Sequence, residues 1–185
     1  MDKNINLQFF QALLGSNNQE RKIAEEKFSL LKQVSFNESI EVFISGLDSN
    51  DLNIQNLSLL LLKKTYLDSA DTYNNLLDEN SKLYLKKLVF TLIQFDKNIK
   101  FLYRIADILS KIFSFENISE LLGYVVKTFD SENAVARQFA IYIIESLCDL
   151  GILKDNVVEG SVENFNHIFK KGNKYTQKFI YIYRT

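Results

Sequence analysis

The stretch FDSENAVARQFAIYIIESL, residues 129–147, decides the fold. A short polar turn follows an apolar segment, and a second apolar segment begins with an arginine near its start. Blurred copies stand at GLDSNDLNIQNLSLLLLKK, residues 46–64, and at LLGSNNQERKIAEEKFSLL, residues 13–31. Each time, small polar residues able to accept the orphan N–H groups of a helix start separate two runs of helical period. Three such joints in one chain predict a repeat.

Apolar residues three and four apart predict about ten helices arranged as outer (A) and inner (B) pairs. The repeats fall at about 4–33, 36–67, 80–114, 117–150 and 153–185, all within one array over residues 1–185. Residues 68–80, DSADTYNNLLDEN, read as a longer polar connector with a short helical turn. The turn residues Ser16, Ser49, Asp96, Ser131 and Gly172 lie 33, 47, 35 and 41 apart. Those spacings suit an α-solenoid of HEAT type, whose period is about 40–47 residues. A tetratricopeptide array would show its Trp and Pro positions, and this chain has neither residue.

Composition agrees. Proline is absent and glycine occurs six times, so few residues force a break, and no Asn-Gly or Asp-Gly hairpin signal separates alternating segments. The expected class is all-α: antiparallel helix pairs stacked into a right-handed superhelix.

The 185 residues are 46% hydrophobic and 24% charged, with net charge −1. A nearly neutral chain lacks the general attraction to phosphate on which nucleic-acid binders depend. The lone cysteine, Cys148, excludes an internal disulfide framework and lies in an apolar run, as a buried small hydrophobe would. The longest greasy runs, LSLLLL and FAIYII, are far short of the ~20 residues that span a bilayer. A soluble intracellular protein with no membrane insertion is expected.

Catalysis has no evident seat. His167 is the only histidine and has no partner motif, and one His with one Cys gives no metal-ligand spacing. Neither a P-loop nor a G-x-G-x-x-G turn is present. Glu25 and Glu26 are adjacent on a helix and point ~100° apart, a poor acid/base pair. Catalytic residues, metal and cofactor are all expected to be none, and the chain is read as a non-enzyme. The fifteen phenylalanines include Phe9, Phe10, Phe28, Phe43, Phe90, Phe101, Phe113 and Phe139 at core spacing.

ERKIAEEKFSLL, residues 20–31, resembles the first B helix of the importin-β (karyopherin-β) nuclear transport receptors. The matching positions are Arg21, Ala24, Glu25 and Phe28. IQNLSLLLLKKTY, with Leu62 and Lys63 closing its apolar run, is similar to the second B helix of that family. IADILSKI and DSENAVARQFA are similar to the third and fourth. The overall likeness is to the branch that imports ribosomal proteins and histones.

The resemblance implies an N-terminal receptor segment that binds Ran-GTP on its concave B-helix face. It also implies protein cargo, including ribosomal proteins or histones, contacts with Phe-Gly nucleoporins, and shuttling between cytoplasm and nucleus. Ran-GTP and cargo would then favour different curvatures and weaken one another reciprocally. The candidate Ran-binding residues are Lys22, Glu25 and Ser29 on the first B helix. Asn56 and Lys63 follow on the second, and Arg104, Asp107 and Lys111 on the third. On the first B helix they are expected opposite core positions Ile23, Ala24 and Phe28. Asp130 is expected to cap its helix, and Arg137 to reach a loop acid of a neighbouring repeat, forming a ladder that sets the stacking angle.

Two other readings share the fold: a HEAT scaffold outside transport, and a HEAT-like DNA glycosylase. The glycosylase needs a strongly basic groove, whereas the B helices mix Glu25, Glu26 and Asp107 with Lys22, Lys63 and Lys111. The final segment, QKFIYIYRT, has no polar closing repeat, so a longer parent chain is expected, with Ile180 and Ile182 exposing apolar surface.

Overall fold

The computed structural model describes residues 3–31, 33–95 and 98–152. The expected fifth repeat, with Gly172, His167, Ile180 and Ile182, lies outside the described residues. Within them the chain is all-helical, with no strand.

Helices α1 (Lys3–Leu14) and α2 (Asn18–Leu31) form the first pair, and α3 (Phe36–Leu47) and α4 (Leu52–Tyr66) the second. A short helix α5 (Ala70–Leu76) fills the connector. The third pair is α6 (Glu79–Thr91) with α7 (Ile99–Phe115), and the fourth is α8 (Ile118–Phe129) with α9 (Ala134–Asp149). The helices start and end within a few residues of the positions that the apolar spacing predicts.

The starts are set by side-chain caps. Asp51, Asn98, Asn117 and Asn133 each accept the N–H two residues on, at 2.8 to 2.9 Å. These oxygens replace the carbonyl partners that a first helical turn lacks. Asp130 is not the cap of α9; it stands at the C-cap of α8, and Asn133 opens α9.

Three pairs close their turn with one device. Arg21 donates to the Gly15 carbonyl at 2.7 Å, Gln55 to that of Ser49 at 2.6 Å and Arg137 to that of Ser131 at 2.8 Å. In every case the donor lies six residues after the acceptor, and the helix cap (Asn17, Asp51 or Asn133) lies between them. The recurring arginine or glutamine thus braces its own turn. The third pair has Leu102 at the equivalent place, fully buried and unable to donate.

Among the described residues, every substantial interface between paired helices lies within a pair or between consecutive pairs, and α5 packs on α4. Helices α4, α7 and α9 pack in succession, and α1 meets both helices of the second pair. Their apolar faces merge into one continuous core with Phe10, Phe43, Leu62, Phe101, Phe113 and Phe139 at its centre. Phe28 and Phe90 are only half-buried. Where α1, α3 and α4 converge, Gly46 leaves no room for a side chain. A Cβ there would stand 2.7 Å from the Phe10 ring and 2.9 Å from Cβ of Ser58.

The first pair is covered less than its spacing implies. Ile23, expected in the core, is 49% exposed, and Ala24 is the only fully buried residue of α2. Among the described residues α2 has a substantial interface with α1 alone, so only a narrow stripe is covered.

Candidate functional site

The eight candidate recognition residues sit on α2, α4 and α7, and two of them meet. Lys63 Nζ donates to Asp107 Oδ2 at 2.6 Å, joining α4 to α7, with both side chains about one-third exposed. Lys63 lies in the last turn of α4, where a cation also complements the helix dipole. On α7, Lys111 is one turn beyond Asp107 and holds its Nζ 5.0 Å from the Phe115 ring centroid. That distance permits a cation–π contact. Arg104, one turn before Asp107, is exposed.

Lys22, Glu25 and Ser29 are exposed on α2. The Ser29 hydroxyl is spent on its own helix, donating to the Glu25 carbonyl at 3.1 Å. Asn56 does the same through its amide nitrogen, to the Leu52 carbonyl at 2.8 Å. Its side-chain oxygen is buried and accepts no hydrogen bond among the described residues. The structure therefore joins Lys63 to Asp107, with Lys111 one turn further along the same helix. Among the described residues α2 has its substantial interface with α1, and no hydrogen bond or ion pair joins its candidates to the strip that these residues form.

Sequence reasoning missed the extension of this strip onto α9. Tyr103, one turn before Asp107, meets Tyr142 of α9 edge to face, with ring centroids 5.0 Å apart. Burial pushes the Tyr103 hydroxyl above the usual tyrosine range, and the charges of Asp149, Glu145 and Asp107 and the nearby Tyr142 add to the shift. Burial likewise raises the Glu145 carboxyl, and Asp149 adds repulsion. Both effects disfavour the charged form. The result is a band running from Lys63 through Asp107 to two tyrosines and two further carboxylates. The i, i+4 pair Tyr103/Asp107 was a usable signal, but its meeting with Tyr142 depends on how α7 crosses α9.

Arg137 is placed differently from expectation. Besides Ser131, its Nη1 donates to the Glu132 carbonyl at 2.9 Å, so among the described residues its hydrogen bonds stay within its own turn. A guanidinium pinned to two local carbonyls is a turn brace, not a rung between repeats.

A second polar cluster lies where α5, α6 and the end of α7 converge. The Tyr73 hydroxyl donates to Glu116 Oε1, while Lys86 Nζ donates to Glu116 Oε2 at 2.6 Å. Burial and the neighbouring Glu116 raise the Tyr73 hydroxyl far above the tyrosine range, so it stays protonated as a donor. These groups satisfy one another.

Among the described residues no group of three or more His, Cys, Asp or Glu side chains is placed to hold a metal ion. No described helix is long and apolar enough to cross a membrane. Compared with protein-family models, curated proteins and solved structures, the chain matches none.

Proposed function

We propose that the chain is a HEAT-type α-solenoid segment that binds a folded protein on the strip formed by α4 and α7, with the exposed candidates of α2 as a separate contact. In this reading it is the N-terminal part of an importin-β-like import receptor, and the partner is Ran-GTP. The observation that carries the reading is the Lys63–Asp107 bridge. It brings candidates from two B helices onto one half-exposed, mixed-charge strip beside Lys111 and Tyr103. Such a strip suits a polar protein surface, where rim charges steer encounter and aromatic side chains anchor. A phosphate backbone would need an excess of cations. Cargo carriage, Phe-Gly contacts and shuttling belong to the same proposal and rest on the family resemblance of the B-helix motifs.

The full chain is tested for binding to Ran loaded with GTP and with GDP. A preference for GTP supports the receptor reading. Charge reversal at Lys63 and Lys111 together (Lys63→Glu, Lys111→Glu) then weakens binding about tenfold, or ~1.4 kcal/mol. One observation favours the second reading, a HEAT scaffold outside transport: Lys63 and Asp107 already satisfy each other, leaving less free charge for a partner. Equal binding to both nucleotide states, or none, would select the scaffold.

A further inference from the structure

The second and third helix pairs are joined unlike the others. Between the first two pairs, α1 packs against both α3 and α4. Between the last two, α7 packs against both α8 and α9, and Phe90 of α6 meets Tyr124 of α8 with centroids 5.3 Å apart. Between the second and third, the one substantial helix-on-helix interface among the described residues is α4 on α7. Helices α3 and α6 meet through the edge contact of Phe36 and Tyr84, centroids 6.2 Å apart, with Tyr84 47% exposed. Among the described residues a polar bond between α4 and α7 crosses the seam, Lys63–Asp107, one-third exposed and so open to screening by salt.

The connector compensates. Helix α5 leaves the end of α4 and is fixed at the end of α7. Its only fully buried side chain, Tyr73, packs on Phe115 with centroids 5.4 Å apart and donates to Glu116. Lys86 of α6 holds the other Glu116 oxygen, and Lys82 stands 5.3 Å from the Tyr73 ring centroid. A seven-residue helix has too few hydrogen bonds to persist alone, so α5 depends on this attachment.

We propose that the α4–α7 seam is a hinge between the first two and the last two helix pairs, and that α5 is its strap, latched by Tyr73 to Glu116. A single helix–helix contact line permits rotation that two parallel lines resist, and hinge motion concentrates where few contacts must change. The strap limits that rotation by tying the end of α4 to the end of α7. This inference requires no partner and stands apart from the proposed function.

Spin-label distances on the full chain test it, in a Cys148→Ser background that removes the one native thiol. Labels at Asn37→Cys on α3 and Lys87→Cys on α6, both exposed positions, span the seam. Labels at Gln11→Cys and Asn37→Cys report within one half. Tyr73→Phe, which keeps the ring and removes the latch, is expected to broaden or shift the cross-seam distribution by about twofold in width. The distribution within the half stays unchanged. Glu116→Gln, which weakens the latch and the Lys86 ion pair together, gives the same response by a second route. A cross-seam distribution that responds to neither variant, whether narrow or broad, overturns the proposal, as does an equal response within one half.

Discussion

Lys63 and Asp107, 44 residues apart in sequence, meet at 2.6 Å across the seam of α4 and α7. Each was a candidate to meet a partner; each first meets the other. Half-exposed pairs of this kind contribute about 0.2–1 kcal/mol, so the pair tunes the seam without deciding the fold. Lys63→Glu sets two carboxylates face to face and is expected to lower the melting temperature more than Lys63→Ala. Adding Asp107→Lys restores an attraction and recovers most of that loss. Identical melting of Lys63→Glu and Lys63→Ala, with no rescue by the second change, would remove the pair from the account of stability.

The turn braces make a larger prediction. Arg137 gives two hydrogen bonds from one nitrogen to carbonyls that end the preceding turn. Hydrogen bonds that involve a charged group contribute about 1.5–3 kcal/mol. Arg137→Ala should lower unfolding free energy by that amount, and Arg137→Met, which keeps most of the aliphatic stem, should lower it nearly as much. Urea unfolding of the three proteins checks this. A midpoint unmoved by either change would mean the brace contributes nothing, and recovery by Met alone would assign the effect to the stem.

Gly46 carries the clearest steric prediction. Its missing side chain lets α3 close on the fully buried ring of Phe10 and on Ser58, whose hydroxyl donates to the Phe43 carbonyl at 2.7 Å. Gly46→Ala must push α1 or α4 outward. Overpacking of this kind costs about 1–3 kcal/mol, more than the helix propensity gained by alanine. Thermal melting of the variant tests it: an increase in melting temperature would show that the three helices part without strain.

The helices and their starts were legible because both are local. Spacings of three and four residues mark a helical face, and an Asx residue before such a face caps it whatever lies across from it. Asn133 illustrates the limit of that reading: Asp130 and Asn133 are both competent caps, and only the path of the turn selects between them. Arg137 illustrates a second limit, since sequence gives the reach of a side chain and not its direction. Ile23 illustrates a third: periodicity identifies an apolar stripe without identifying what covers it. α5 was underrated because Tyr73 is one aromatic in a polar run, and its partners Phe115 and Glu116 lie about forty residues away. The Tyr103–Tyr142 contact was invisible for the same reason.

Glu145 yields a pH prediction whose sign can be worked through. Burial, and then the charge of Asp149, raise its folded pKa above the ordinary glutamate value. Between the ordinary and the raised value, the folded protein binds more protons at this site than the unfolded chain does. Stability associated with this group is therefore fully present below the ordinary value and is lost as pH rises through the raised one. At neutral pH the ionised carboxylate is held where it is disfavoured, so Glu145→Gln should raise the melting temperature there. The advantage should shrink as pH falls, because wild-type Glu145 becomes neutral as well. Asp149→Asn removes the second cause alone and should give a smaller gain at neutral pH. Melting measured from pH 7 down through the carboxylate range distinguishes these outcomes. A Glu145→Gln variant less stable than wild type at neutral pH would mean that the carboxylate has a favourable partner that outweighs burial and Asp149.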